Sequence, residues 1–231
     1  MKKVTVAILS LLFLAGLIVI TQAPNASAGM VSLAPGSSAT ALTGTTLAID
    51  TQLDPLNGTV LQDVSLPFSK SLLGNLRVSG TLNAKVVREA NGTLDFWYQV
   101  VNSGPDQVER TTHIDFSSDL SGAVSVNYLT DQGGSIAPIT ADRDADPGAV
   151  IGFNFASLTL TSGNTSYWYV VHTEATHYTA GATSVINGAT ADVDTFAPVP
   201  VPHALLLFGS GLLGLGLLGR KFRRPGSKQD S

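Results

Sequence analysis

Cysteine is absent from the 231 residues. Its absence excludes a disulfide framework, a thiol nucleophile and cysteine-ligated zinc. Aromatic residues are few, at 7%, and both tryptophans fall in two short triplets, Phe96-Trp97-Tyr98 and Tyr167-Trp168-Tyr169. The middle of the chain has no sustained helical period, no nucleophile elbow, no phosphate-binding loop and no dinucleotide fingerprint. Paired carboxylates for glycoside hydrolysis need only meet in space, but no pair stands out. The expectation is therefore a protein that is not an enzyme.

Positive charge is also scarce where a folded domain would lie. The formal net charge of -4 conceals this. Setting aside Lys2 and Lys3 at one end, and Arg220, Lys221, Arg223, Arg224, Lys228 and Asp230 at the other, leaves 16 acidic and 6 basic residues. A domain so acidic is not expected to bind nucleic acid or anionic lipid through bulk electrostatics.

Long apolar runs occur only at the two ends. Lys2 and Lys3 precede an uncharged stretch from Val4 to Ile20, and a polar segment closes on Ala26-Ser27-Ala28. This is the layout of a signal peptide, with small residues Ala26 and Ala28 placed for cleavage after Ala28. The alternative is an uncleaved signal anchor. At the other end, Val199-Pro200-Val201-Pro202 leads into an apolar run from Ala204 to Gly219 and the cations Arg220, Lys221, Arg223 and Arg224. Five glycines in that run weaken a helix in water. In lipid, backbone groups must bond internally, so a helix is favoured there. The run is near the lower length limit for a bilayer span, and its basic end should stay cytoplasmic. The segment between the two ends is then exported.

This ending resembles the PEP-CTERM family of bacterial sorting signals. That family has a Val-Pro-Glu-Pro motif, a glycine- and leucine-rich membrane helix and an arginine-rich end. Val199, Pro200 and Pro202 match, and Val201 stands in the position of the Glu. Leu212-Leu213-Gly214-Leu215-Gly216-Leu217-Leu218-Gly219 and Arg220 match the helix and stop. The N-terminal layout implies signal peptidase as a processing partner, and the resemblance implies an exosortase, a membrane-embedded cysteine peptidase. It further implies a Gram-negative cell that makes exopolysaccharide. The protein would be anchored transiently in the inner membrane, then reach the cell surface or extracellular matrix. The alternative is a plain C-terminal anchor. The expected organisation is signal peptide over 1–28, exported domain over 29–198, sorting motif, membrane helix and basic stop over 199–224, and a cytoplasmic tail over 225–231.

The exported domain reads as all-β, an antiparallel β-sandwich of Ig-like or jelly-roll-like kind. Val, Thr, Ile and aromatics recur between glycine-containing turns at short intervals. Strands are expected over 47–51, 60–66, 108–116, 124–129, 150–160, 166–173 and 191–196. The segment from Met30 to Gly44 reads as a linker or a loose first strand. Asn91-Gly92 predicts a two-residue type I′ hairpin, placing Val87 opposite Phe96 and Arg88 opposite Asp95. The core face would carry Val87, Leu94, Phe96, Tyr98 and Val100, and the wet face Val86, Arg88, Asp95, Trp97 and Gln99. Lys85 and Glu89 fall awkwardly on the core face. A second hairpin is expected to join 150–160 to 166–173 through Ser162-Gly163-Asn164, and Asn187-Gly188 marks another tight turn.

Three constellations invite chemistry. Asp142, Asp144 and Asp146 alternate like the start of a calcium loop, but Pro147 and Phe153 stand where that loop needs Gly and Glu. An acidic turn is the plainer reading, and calcium is the one cofactor that the pattern admits. His172-Thr173-Glu174-Ala175-Thr176-His177 lacks the His-Glu-x-x-His spacing of a zinc peptidase, and His113 stands alone in a strand. Alternation turns Trp97 and Trp168 away from their flanking aromatics. If exposed, they would suit stacking on sugar rings, the alternative reading being a carbohydrate-binding module that retains exopolysaccharide. Cross-strand packing is the plainer use of both rings.

Overall fold

The computed structural model describes residues 29–47, 58–117, 124–145 and 147–199. Two six-stranded sheets, antiparallel in every strand pairing, make up the fold. The first runs in the order β1 (Val31–Ser32), β7 (Ser125–Leu129), β10 (Trp168–Thr173), β5 (Leu94–Asn102), β4 (Asn75–Arg88), β3 (Thr59–Leu72). The second runs β12 (Thr190–Pro198), β11 (Tyr178–Ile186), β6 (Arg110–His113), β9 (Ile151–Phe155), β8 (Pro138–Arg143), β2 (Thr40–Ala41). Among the described residues there is no helix, and so none long and apolar enough to cross a membrane. The expected signal-peptide site at Ala26 and Ala28 lies outside them, as do Pro200, Val201, Pro202, the apolar run and the basic stop.

One apolar cluster lies between the sheets. It takes Leu82, Val86, Phe96, Tyr98 and Tyr169 from the first sheet, and Ile151, Phe153, Val185 and Val193 from the second. Each such side chain stabilises by about 1.5–3 kcal/mol when fully buried. Tyr98 donates from its hydroxyl to Phe196 O at 3.1 Å, tying the sheets through the core.

The β4–β5 hairpin has a different register from the one that Asn91-Gly92 predicts. Its loop holds three residues, Ala90-Asn91-Gly92, closed by Gly92 N donating to Glu89 O and Glu89 N donating to Thr93 O. Only Gly92 has positive φ, at 91°. Asn91 instead accepts hydrogen bonds at Oδ1 from Thr93 N and Oγ1, at 2.9 and 2.7 Å. That forward-reaching side chain removes the left-handed conformation a type I′ turn needs. Val86 therefore faces Phe96, Val87 faces Asp95 and Arg88 faces Leu94. The core face of β5 is as expected, but every side chain of β4 changes face, because the side-chain period of a strand is two. Val86 enters the core, while Lys85 and Val87 move to the far side with Trp97.

The second expected hairpin does not form. Segment 150–160 supplies β9 in one sheet and 166–173 supplies β10 in the other. Gly163 does turn with positive φ, but the chain around it crosses between sheets, and Thr165 bridges Val101. Asn187-Gly188 does lie in a tight turn, between β11 and β12, with Ile186 facing Thr190. The segment from Met30 to Gly44 supplies β1 and β2, with Leu33 and Leu42 buried.

Arg143, which no sequence motif singles out, is the polar centre of the β8 end. It is 5% exposed. Its guanidinium donates to three main-chain carbonyls, Gly148 O at 2.7 Å, Leu33 O at 3.0 Å and Phe116 O at 2.7 Å. Three segments far apart in sequence are fastened by this one side chain.

Candidate functional site

Trp97 and Trp168 both sit on the outer face of the first sheet, away from the shared core, as alternation predicts. Their ring centroids are 6.4 Å apart at 60°. They are not open platforms, however. Each is only 9% exposed, packed in a second apolar cluster with Val87, Leu129 and Val170. Met30 and Leu47 close over that cluster. The expectation of exposed stacking aromatics is corrected accordingly: Met30, just before β1, and Leu47, after β2, pack over this face. Lys85 Nζ lies 4.7 Å from the centre of the Trp168 ring and 3.3 Å from Asp63. A small cavity of about 200 Å³ opens beside Lys85, Val60 and Trp97. The Trp97 indole N–H is buried without a hydrogen-bond partner, at a cost of about 1–3 kcal/mol.

Asp95 and Gln99, expected on a wet surface, are buried on the same face. Gln99 donates to Ser166 O at 3.1 Å and accepts from Asn83. Asp95 is fully buried and bonds His172 Nδ1 at 2.6 Å, rather than pairing with Arg88. Register places Ser125 directly across from His172, and His172 directly across from Asp95. Serine, histidine and aspartate thus stand in one row over three neighbouring strands, a grouping that no linear motif could reveal. These are the residue types of an acyl-transfer triad. The geometry does not supply the rest of such a site. Ser125 and His172 are each 5% exposed. β10 is paired on both sides, by β5 and β7, so its backbone donors are engaged in ladders rather than aimed at an oxyanion.

The acidic stretch forms part of an open cleft of about 440 Å³, bordered by Ser37, Ser38, Arg110, Asp142 and Asp144. Arg110 grips Asp142 with two parallel bonds of 2.5 and 2.6 Å, and Asn154 donates to the same carboxylate at 2.8 Å. The Arg110 hydrogen bond, more than the opposing effect of burial, holds the Asp142 carboxyl below the usual range. Gly152 makes this possible, since a Cβ there would lie 2.1 Å from the Arg110 guanidinium. Asp144 has separate work, accepting from Val150 N at 2.7 Å. Asp146 lies outside the described residues. Among the described residues, no group of three or more His, Asp or Glu side chains is placed to hold a metal ion.

Because Asp142 and Asp144 already serve Arg110 and the Val150 backbone, calcium is expected to leave the melting temperature unchanged and to release no heat in calorimetric titration. A clear calcium-dependent rise in melting temperature would mean that these bonds are exchanged for a cation.

Two further histidines among the described residues have structural settings. His113 is fully buried in β6, with Nδ1 at 2.8 Å from Thr183 Oγ1 and its ring 3.9 Å from that of Tyr98. His177 is exposed, with Nδ1 bonded to Thr176 Oγ1 at 3.0 Å. Comparison with protein families, curated proteins and solved structures finds no match to this chain.

Proposed function

We propose that this is an exported, non-enzymatic surface or matrix protein, delivered by its C-terminal signal and associated with exopolysaccharide. Its two sheets are read as a β-sandwich of Ig-like or jelly-roll-like kind, because the chain changes sheet at β1–β2, β2–β3, β5–β6, β6–β7, β7–β8, β9–β10 and β10–β11. The observation supporting the functional reading is that both flanking residues of the expected exported domain are bonded into the fold. Gly29 O accepts from Asn127 Nδ2 at 2.9 Å, and Met30 packs on the tryptophan cluster. The residue expected to follow signal cleavage is thus bonded into the fold. At the other end, β12 closes at Pro198, and Val199 N donates to His177 O at 2.9 Å. The first residue of the Pro-containing motif is thus bonded to the fold, one residue after β12.

Intact-mass analysis of protein from the medium and from membranes tests this reading. A secreted species beginning at Gly29 and ending between Val199 and Pro202 is expected. A full-length C-terminus found only in membranes would replace sorting by simple anchoring. An N-terminus at Met1 would replace cleavage by a signal anchor.

A further inference from the structure

The β3–β4 hairpin extends beyond its sheet. Pairing of β4 with β5 starts only at Gly80, and all residues from 69 to 77 are exposed. At the apex Leu72 faces Asn75, leaving Leu73-Gly74 as a two-residue turn. Both have positive φ, 52° and 80°, as a type I′ turn requires. Leucine is poorly suited to that position, where its Cβ crowds the backbone. Asn or Asp would relieve the strain and be soluble. Instead Leu73 is 93% exposed, with Leu72 at 49% and Leu76 at 46% beside it.

A second strained leucine stands at the same end. Leu158 has φ 62° and is 79% exposed. It borders one cleft together with Arg77 and Asp106. Two exposed leucines in left-handed backbone, on separate segments, thus stand on the side of the domain that Arg77 marks. Strain kept at an exposed site points to function.

Charge is sorted onto the same hairpin. From Val64 to Arg88 there is no Asp or Glu, while Lys70, Arg77, Lys85 and Arg88 make up four of the six cations of the exported segment. Arg77 and Lys85 are shared with Asp106 at 2.7 Å and Asp63 at 3.3 Å. Lys70 stands exposed three residues below the apex, at a depth of about 10 Å by strand rise. This matches the headgroup level for an apolar tip sunk about 5–10 Å into a membrane interface. The acidic remainder of the domain would repel anionic lipid, whereas Lys70 and Arg77 flank the apex and residues 64–88 carry no acid; Lys85 and Arg88 lie at the far end of β4, opposite Asp63 and Thr59.

We infer that the β3–β4 tip, with Leu158, is a docking surface for an anionic lipid bilayer. It faces away from the point where the chain leaves the fold. Gln62 Nε2 bonds the Tyr178 hydroxyl at 2.8 Å, and Tyr178 faces Pro198. Leu72 lies ten residues further along β3, about 30 Å away. A chain held in one membrane by its C-terminal run therefore presents this tip to a different surface.

The test uses the full chain, reconstituted into neutral phosphatidylcholine vesicles and mixed with dye-filled vesicles containing phosphatidylglycerol. Wild type is expected to capture the dye-filled vesicles. Leu73→Asn and Leu158→Asn, both compatible with positive φ, should reduce capture about tenfold or more while keeping or raising the melting temperature. Lys70→Glu should weaken capture about fivefold and flatten its salt dependence. Equal capture by the leucine variants overturns the inference. Equal capture of neutral and anionic vesicles overturns its choice of lipid. Capture only when both vesicle sets carry protein identifies a second copy as the occupant and likewise overturns it. The docking surface does not rest on the C-terminal anchor. If the chain fails to enter the first vesicles, that result counts against the anchor, and flotation of the chain with the anionic vesicles alone reads the hairpin.

Discussion

Replacing Arg143 with methionine is expected to destabilise the domain by about 3–5 kcal/mol. For a domain of this size that corresponds to a melting temperature lower by about 10 °C. The magnitude follows from what the guanidinium does. It is 5% exposed and its bonds go to the carbonyls of Gly148, Leu33 and Phe116. Methionine fills the volume but leaves buried carbonyl oxygens without donors. Lysine should rescue little, because a single ammonium on a flexible stem cannot reproduce the planar fork that reaches three segments. Thermal unfolding of the wild type, Arg143→Met and Arg143→Lys checks this. A shift under 3 °C in the methionine variant would show that the carbonyls find other donors. The same variant should loosen β1, since Leu33 directly follows that strand.

The second large effect is an acid lability centred on His113. Burial, helped by the charge of Arg110, pushes the imidazole pKa down to about 3 from about 6.5. Between those two values the unfolded chain binds a proton that the folded chain refuses. Stability therefore falls as pH falls, with a slope of about 1.4 kcal/mol per pH unit. Above the unfolded value the penalty is absent, and by pH 3 it is complete, at about 4–5 kcal/mol. Asp142 adds a loss of the same sign in a more acidic window. Its carboxyl is held below the usual range in the folded state, so its contribution disappears only as pH drops through that lowered value. Denaturant titrations from pH 7 to pH 4 should show the slope in the wild type. His113→Gln should be less stable at neutral pH, having lost ring contacts with Tyr98, Phe153 and Tyr169. It should also have a slope flatter by about 1 kcal/mol per unit. An unchanged slope would assign the lability to other groups.

The two hairpin signals show how far a linear reading reaches. Asn187-Gly188 was read as a tight turn and is one. Asn91-Gly92 looked equally clear, but its side chain bonds forward to Thr93 and adds one residue to the loop. That single residue moved Val86 inward and Val87 outward, since strand faces alternate. The awkward placement of Lys85 and Glu89 was the warning that the register was off by one. The strongest hairpin, β3–β4, carried no Asn-Gly at all. It turns on Leu73-Gly74, where an unfavourable residue hides the turn.

The candidate sites were legible only in part. Which face Trp97 and Trp168 occupy follows from alternation alone. That the face is covered depends on Met30 and Leu47, separated from the tryptophans by tens of residues of chain. Asp142, Asp144 and Asp146 alternate in the sequence like calcium ligands. Arg110 and Asn154 claim the first of these, and the Val150 amide the second. The Ser125, His172 and Asp95 row exists only because β7, β10 and β5 are neighbours.

By itself the sequence determined an all-β chain without thiol chemistry, with its charge hidden by basic ends and a sorting-like pattern after the last strand. These are properties of composition, period and local turn chemistry, and they need no partner strand. Tertiary structure alone decided which strands pair, that Arg143 and His113 are buried, and that Leu73 and Lys70 stand exposed at the end of one long hairpin. Those depend on contacts between segments far apart in the chain, where pairing is set by the balance of the whole core and no local signal records it.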